Sequence, residues 1–153
     1  MLFRSLNEGP LAGLIKPPKR WTADEAAAEI QKAVEMANRS DVVIMALGES
    51  TGMSSEQGSR SDLVLPGDQR KLLDAVLATG KKVVVVLVNG RPLDLSGVYD
   101  KVPAILEGWH GGVRGGTAIA RGLFGDVNPG GKTPVTWPRS VRSEERRVGK
   151  ECA

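Results

Sequence analysis

Two unbroken apolar runs, Val42-Val43-Ile44-Met45-Ala46-Leu47 and Val83-Val84-Val85-Val86-Leu87-Val88, limit what this chain can fold into more than any other feature. Both are rich in β-branched residues and neither alternates with polar ones, the pattern of a parallel strand buried on both faces. Strands are therefore expected over 41–47 and 82–88. A helical stripe of Leu72, Leu73, Val76 and Leu77 lies between them, with Pro66 suited to its first turn and Gly80 to its end. Ahead of the first run, Thr22-Ala23-Asp24-Glu25 is a capping box, and Ala26, Ile30, Ala33, Val34 and Ala37 form one apolar helical face. Further strands are expected over Val102–Trp109 and Lys132–Trp137, and a short helix over Gly115–Phe124 capped by Gly125. Strands alternating with helices give an α/β fold, a mostly parallel sheet covered on both faces as a three-layer α/β/α sandwich.

The carboxyl ends of the first three strands converge in such a sheet, and ligands bind in the crevice beyond that edge. Here those ends are Gly48-Glu49, Asn89-Gly90-Arg91-Pro92 and Gly108-Trp109-His110-Gly111-Gly112. The connection from Gly48 to Asp62 is longer than a strand-to-helix link requires. It carries two carboxylates, Glu49 and Glu56, with Arg60 and Asp62 close behind.

The residues present narrow the chemistry. With 153 residues, 41% hydrophobic and 25% charged, the chain suits one domain with a real core. A net charge of +3, scattered basic residues and 4% aromatics offer neither a basic stripe nor a stacking platform, so no nucleic-acid partner is expected. No apolar run reaches the roughly 18 residues of a membrane span, and no membrane partner is expected. There is no P-loop and no Gly-x-Gly-x-x-Gly after a strand. The group Gly111, Gly112, Gly115 and Gly116 reads as a tight turn that lets helix and sheet approach. His110 is the only histidine, against the usual zinc ligand set, and no Gly-x-Ser-x-Gly elbow is present. A zinc site would have to be carboxylate-rich and a nucleotide fingerprint is lacking, so these residues signal neither a metal nor an organic cofactor. Asn38-Arg39-Ser40 matches a glycosylation sequon, a short pattern that often arises by chance. Carboxylate chemistry remains, and glycosidases use a pair of carboxyl groups, one of them as acid/base.

Both ends read as foreign. Arg142 to Cys152 resembles the conceptual translation of a common sequencing adapter, and Leu2-Phe3-Arg4-Ser5 the same adapter from the other side. The expected organisation is a linker or truncated region over 1–20, with 1–5 adapter-derived, a domain over 21–141, and a non-native tail over 142–153. The single cysteine, Cys152, then falls in the tail.

The order Asp41-Val42-Val43, Gly48-Glu49, Glu56-Gln57-Gly58-Ser59-Arg60, Leu65-Pro66, Gln69 and Val88-Asn89-Gly90-Arg91-Pro92-Leu93 resembles the carboxyl-terminal α/β sandwich domain of glycoside hydrolase family 3. So does Ile105-Leu106-Glu107-Gly108-Trp109, and so does the closing Phe124-Gly125-Asp126-Val127-Asn128-Pro129-Gly130-Gly131-Lys132 stretch. The match covers about residues 24 to 141 and is nearest to the periplasmic β-glucosidase branch. The resemblance implies a fragment of a retaining β-glucosidase, periplasmic or secreted, acting on a small β-glucoside or oligosaccharide. It implies a nucleophilic aspartate on a TIM-like barrel domain that these residues do not include, and Glu56 as the acid/base lent across the interface. Glu49 is the competing candidate, or an anchor for loop or sugar. Arg60 either pairs with a carboxylate and lowers its pKa or staples the loop. Two positions depart from the family pattern: Val113-Arg114 replaces an acidic residue ahead of Gly115-Gly116, and Trp109-His110 replaces a Trp-Tyr-type pair. The alternative function is a stand-alone flavodoxin-like binding or interaction module without catalysis.

Overall fold

A computed structural model of the chain describes residues 21–54 and 58–138. The terminal stretches read above as linker or adapter, and Glu56, lie outside the described residues. The first helix, α1 (Ala23–Asn38), opens on the capping box read from the sequence. The Glu25 amide donates to the Thr22 hydroxyl, and the Thr22 amide donates to the Glu25 carboxylate at 2.9 Å. A cap of this kind is worth about 1 kcal/mol. The inner face of α1 is the expected one, with Ala37 buried and Ile30, Ala33 and Val34 partly so.

Strand β1 (Val42–Gly48) follows and pairs in parallel with β2 (Lys82–Val88), which in turn pairs in parallel with β3 (Ala104–Glu107). The sheet order is β1-β2-β3. Helix α2 (Gln69–Leu77) lies between β1 and β2 in the chain and α3 (Gly115–Leu123) follows β3. Met45, Leu47, Val83, Val85 and Leu87 form the core with Leu73 and Val76 of α2 and Ala37 of α1. On the opposite face, a Cβ on Gly108 would lie 3.1 Å from the Ile119 side chain of α3, and one on Gly122 3.9 Å from Leu106. Helices therefore cover both faces, and the architecture is the α/β/α arrangement that the alternation of elements implies.

Four local expectations change. β1 is not buried on both faces: Val42 and Ile44 remain 49% and 47% exposed. An apolar run reports what a strand can tolerate, and α3 shields the β2–β3 side of that face rather than β1. The helix expected from Pro66 starts at Gln69, because Gly67 takes a left-handed φ of 59° and breaks the first turn. Strand β3 is shorter than Val102–Trp109. Val102 belongs to a turn that bonds back to Val98, and Trp109 leaves extended geometry altogether at φ 45°. Residues 132–137 form no strand, although Trp137 packs on the core and donates from Nε1 to the Leu93 carbonyl at 2.9 Å.

Candidate active-site edge

Gly48 ends β1 at φ 138°, with the Val88 carbonyl so close that a Cβ would stand 2.0 Å from its oxygen. Only glycine fits. The Gln69 side chain, at the start of α2, clasps the Gly48 backbone on both sides: Gly48 N–H donates to Oε1 and Nε2 donates to the Gly48 carbonyl, each at 2.8 Å. The long loop therefore leaves the sheet from a fixed point, and the Glu49 amide continues the ladder onto Val88 at 2.9 Å.

The Glu49 side chain turns inward and is fully buried. Ser54 donates to Oε2 at 2.6 Å and the Gly90 amide donates to the same oxygen at 3.3 Å. Oε1 takes a hydrogen bond from Arg60 at 2.9 Å and lies 3.1 Å from Nε of Arg91. Burial opposes the charge of Glu49. The hydrogen bonds from Ser54, Arg60 and the Gly90 amide, with the positive charge of Arg91, outweigh it and hold the carboxyl below the usual carboxylate range. Arg60 extends its second nitrogen to Asp62 at 2.9 Å and to the Val64 carbonyl at 2.7 Å, so it staples the returning limb of the loop to the start of β1's exit. The structure thus brings together Glu49, Arg60 and Asp62 from the sequence reading, while Glu56 falls outside the described residues.

The second and third strand ends meet this cluster. Gly90 sits where a Cβ would come within 2.8 Å of Ser54 and 3.2 Å of the His110 ring. Asn89 is completely buried and donates to the Arg91 carbonyl at 2.7 Å and, more weakly, to Glu107 at 3.4 Å. Glu107 is level with Leu87 across the sheet and accepts the Trp109 amide at 2.9 Å. Burial pushes the Glu107 carboxyl up, against the opposing pull of that amide, Asn89 and His110. The left-handed Trp109 lays its ring 5.9 Å from that of Trp137 at 56°. The neighbouring glycines are structural in part: a Cβ on Gly111 would lie 2.6 Å from the Gly115 Cα, whereas Gly116 has open space. The divergent pair Val113-Arg114 lies in an exposed turn just ahead of α3.

Arg91, Ser54, Gln69 and Glu107 were not singled out in the sequence as site residues. Arg91 had a signal, since it follows β2 in a turn that Pro92 stiffens. Gln69 stands in the stretches that carry the family resemblance, but its partner, twenty-one positions away, leaves no local pattern. Among the described residues no group of three His, Cys, Asp or Glu side chains could hold a metal ion.

The chain matches the model of the glycosyl hydrolase family 3 C-terminal domain over residues 6–151. It is 51% identical over 114 residues to a periplasmic β-glucosidase of Salmonella typhimurium, covering 74% of this chain and 15% of that protein. It is 47% identical over 110 residues to a β-xylosidase of Formosa agariphila, covering 72% of this chain and 15% of that one. The chain thus spans about one seventh of the length of these relatives. Among solved structures, the β-glucosidase of Kluyveromyces marxianus in complex with glucose superposes with a TM-score of 0.73 at 30% identity, over 81% of this chain and 14% of that one. The family 3 β-glucosidase of Bifidobacterium adolescentis gives 0.71 at 35% identity, over 82% and 18%.

Proposed function

This chain belongs to glycoside hydrolase family 3, and from that premise we propose that it is the C-terminal domain of a retaining β-glucosidase to which it contributes the acid/base, Glu56. The nucleophilic carboxylate stands on a separate barrel domain, and the substrate is a small β-glucoside or oligosaccharide bound where the two domains meet. The reading favours glucoside over xyloside because of the β-glucosidases among its relatives and structural neighbours. Export to the periplasm or beyond is part of the same reading, after the relative that carries that description. Family membership supports an enzyme over a free-standing flavodoxin-like module.

The observation that carries the assignment of roles is the state of Glu49. A general acid must hold a proton near neutral pH and reach the departing oxygen. Glu49 is buried, has both oxygens engaged, and against that burial its carboxyl is held low by hydrogen bonds from Ser54, Arg60 and the Gly90 amide and by the charge of Arg91. It serves as the anchor of the loop, and Arg60 as its staple, and the acid/base role goes to Glu56, the position the family resemblance points to. In the first half-reaction the barrel carboxylate attacks the anomeric carbon while Glu56 gives its proton to the leaving oxygen. In the second, Glu56 takes a proton from water as that water releases the sugar with retained configuration.

The test is made in the enzyme with its barrel restored. Glu56→Ala lowers kcat/KM on the order of 10²- to 10⁴-fold for poor leaving groups. A dinitrophenyl glucoside needs no proton, so glycosylation is spared and the covalent intermediate accumulates. Azide, which needs no general base, restores turnover and gives a β-glucosyl azide. Azide rescue of Glu49→Ala with no effect on Glu56→Ala would reverse the assignment.

A further inference from the structure

Arg91 bridges the two limbs of the long loop. Its terminal nitrogen donates both to the Met53 carbonyl on the outgoing limb and to the Gly58 carbonyl on the returning limb, the latter at 2.7 Å. Its Nε lies 3.1 Å from the buried Glu49 carboxylate. The two carbonyls flank, in sequence, the position of Glu56. The backbone of Arg91 is itself fixed, since its carbonyl accepts from the fully buried Asn89 side chain at 2.7 Å and Gly90 donates to Glu49. One guanidinium therefore ties β1's exit, both limbs of the loop and β2's exit together.

We propose that Arg91 is a positioning residue for the acid/base step, setting the separation of the two loop limbs by bridging Met53 and Gly58 while Glu49 holds its charge. The proposal rests on the reading of Glu56 given above. The bridge needs a planar, multi-donor cation with a fixed fork. One terminal nitrogen spans both carbonyls while Nε faces the carboxylate; a lysine ammonium has no second nitrogen to keep the contact with Glu49. A displacement of about 1 Å at a reacting group can cost on the order of 10²-fold in rate. The loss should fall on the proton-transfer steps, because Arg91 is hydrogen-bonded to the loop and ion-paired with Glu49.

Arg91→Lys and Arg91→Met are compared with the parent in the barrel-containing enzyme, beside Glu56→Ala, on an alkyl β-glucoside and on dinitrophenyl β-glucoside. The expected result is a loss of roughly 10- to 100-fold in kcat/KM on the alkyl glucoside for both Arg91 variants. On the dinitrophenyl glucoside kcat/KM, which reports glycosylation, changes by less than about threefold, while kcat and KM fall together as the covalent intermediate accumulates. A truncation to Arg91→Ala regains alkyl-glucoside turnover on addition of guanidinium ion, a readout that survives if Arg91→Met folds poorly. An equal loss of kcat/KM on both substrates, or a lysine variant indistinguishable from the parent, overturns the proposal. If Glu56→Ala itself shows neither leaving-group dependence nor azide rescue, the acid/base reading fails, and that outcome is separate from the behaviour of the Arg91 variants.

Discussion

Glu49 is a fully buried carboxylate with four partners, two of them arginines, and its removal has a calculable direction. Taking one member from a buried pair strands the rest and typically costs about 3 to 5 kcal/mol. Glu49→Gln keeps the shape but leaves Arg60 and Arg91 facing an amide, so it destabilises the chain at neutral pH. The pH dependence follows from the lowered pKa. A carboxyl depressed in the folded state contributes stability above its unfolded pKa of about 4.3, and loses that contribution as pH falls through the lower folded value. The gap in stability between parent and Glu49→Gln should therefore be widest near pH 7 and narrow as the medium becomes acid. Urea titrations at a series of pH values measure it, and a gap independent of pH would show that Glu49 acts by shape alone.

At the scale of the element, the exit from β1 is where local conformation and function meet. Gly48 must be glycine, since a Cβ would stand 2.0 Å from the Val88 carbonyl oxygen. The Gln69 amide supplies Gly48 with a donor and an acceptor. Gln69→Ala strands both backbone groups at the partly buried edge, and each such loss costs about 1 to 3 kcal/mol. A lowered melting temperature with faster amide exchange at Gly48 and Glu49 is expected, while exchange in the centre of β2 keeps its rank among the slowest. Uniform acceleration across the sheet would place the effect elsewhere. These elements also show what a sequence carries on its own. The capping box at Thr22 and the stripe of α2 are local patterns, and both are read correctly. α2 starts later than Pro66 alone suggests, because Pro66 permits a helix while the left-handed Gly67 beside it forbids one. The strand expected over Lys132–Trp137 does not form; Trp137 instead packs on the core and donates to the Leu93 carbonyl.

At the scale of the whole molecule, the sheet order β1-β2-β3 gathers three strand ends that are far apart in sequence. That gathering was legible, because a parallel sheet brings carboxyl ends to one edge wherever the chain runs. The partners within the edge were not. Arg60 was read as a staple or a carboxylate partner, and it is seen bonded to Glu49, Asp62 and Val64. The turn places Arg91 at that edge, but the reach of its side chain to Met53 and Gly58 leaves no short-range pattern. The exposure of Val42 and Ile44 is of the same kind, fixed by which helix lies over which strand.

The most direct measurement of the central claim compares the purified chain alone with the same chain joined to its barrel. Retaining hydrolysis needs two carboxyl groups about 5 to 5.5 Å apart across the sugar, and on this account the chain supplies only the acid/base. Dinitrophenyl β-glucoside, the least demanding substrate, should show no turnover above buffer with the chain alone. It should be hydrolysed with retention, and labelled on the barrel aspartate by a 2-deoxy-2-fluoroglucoside, once the barrel is present. Sustained turnover by the isolated chain, free of contaminating enzyme, would contradict the account.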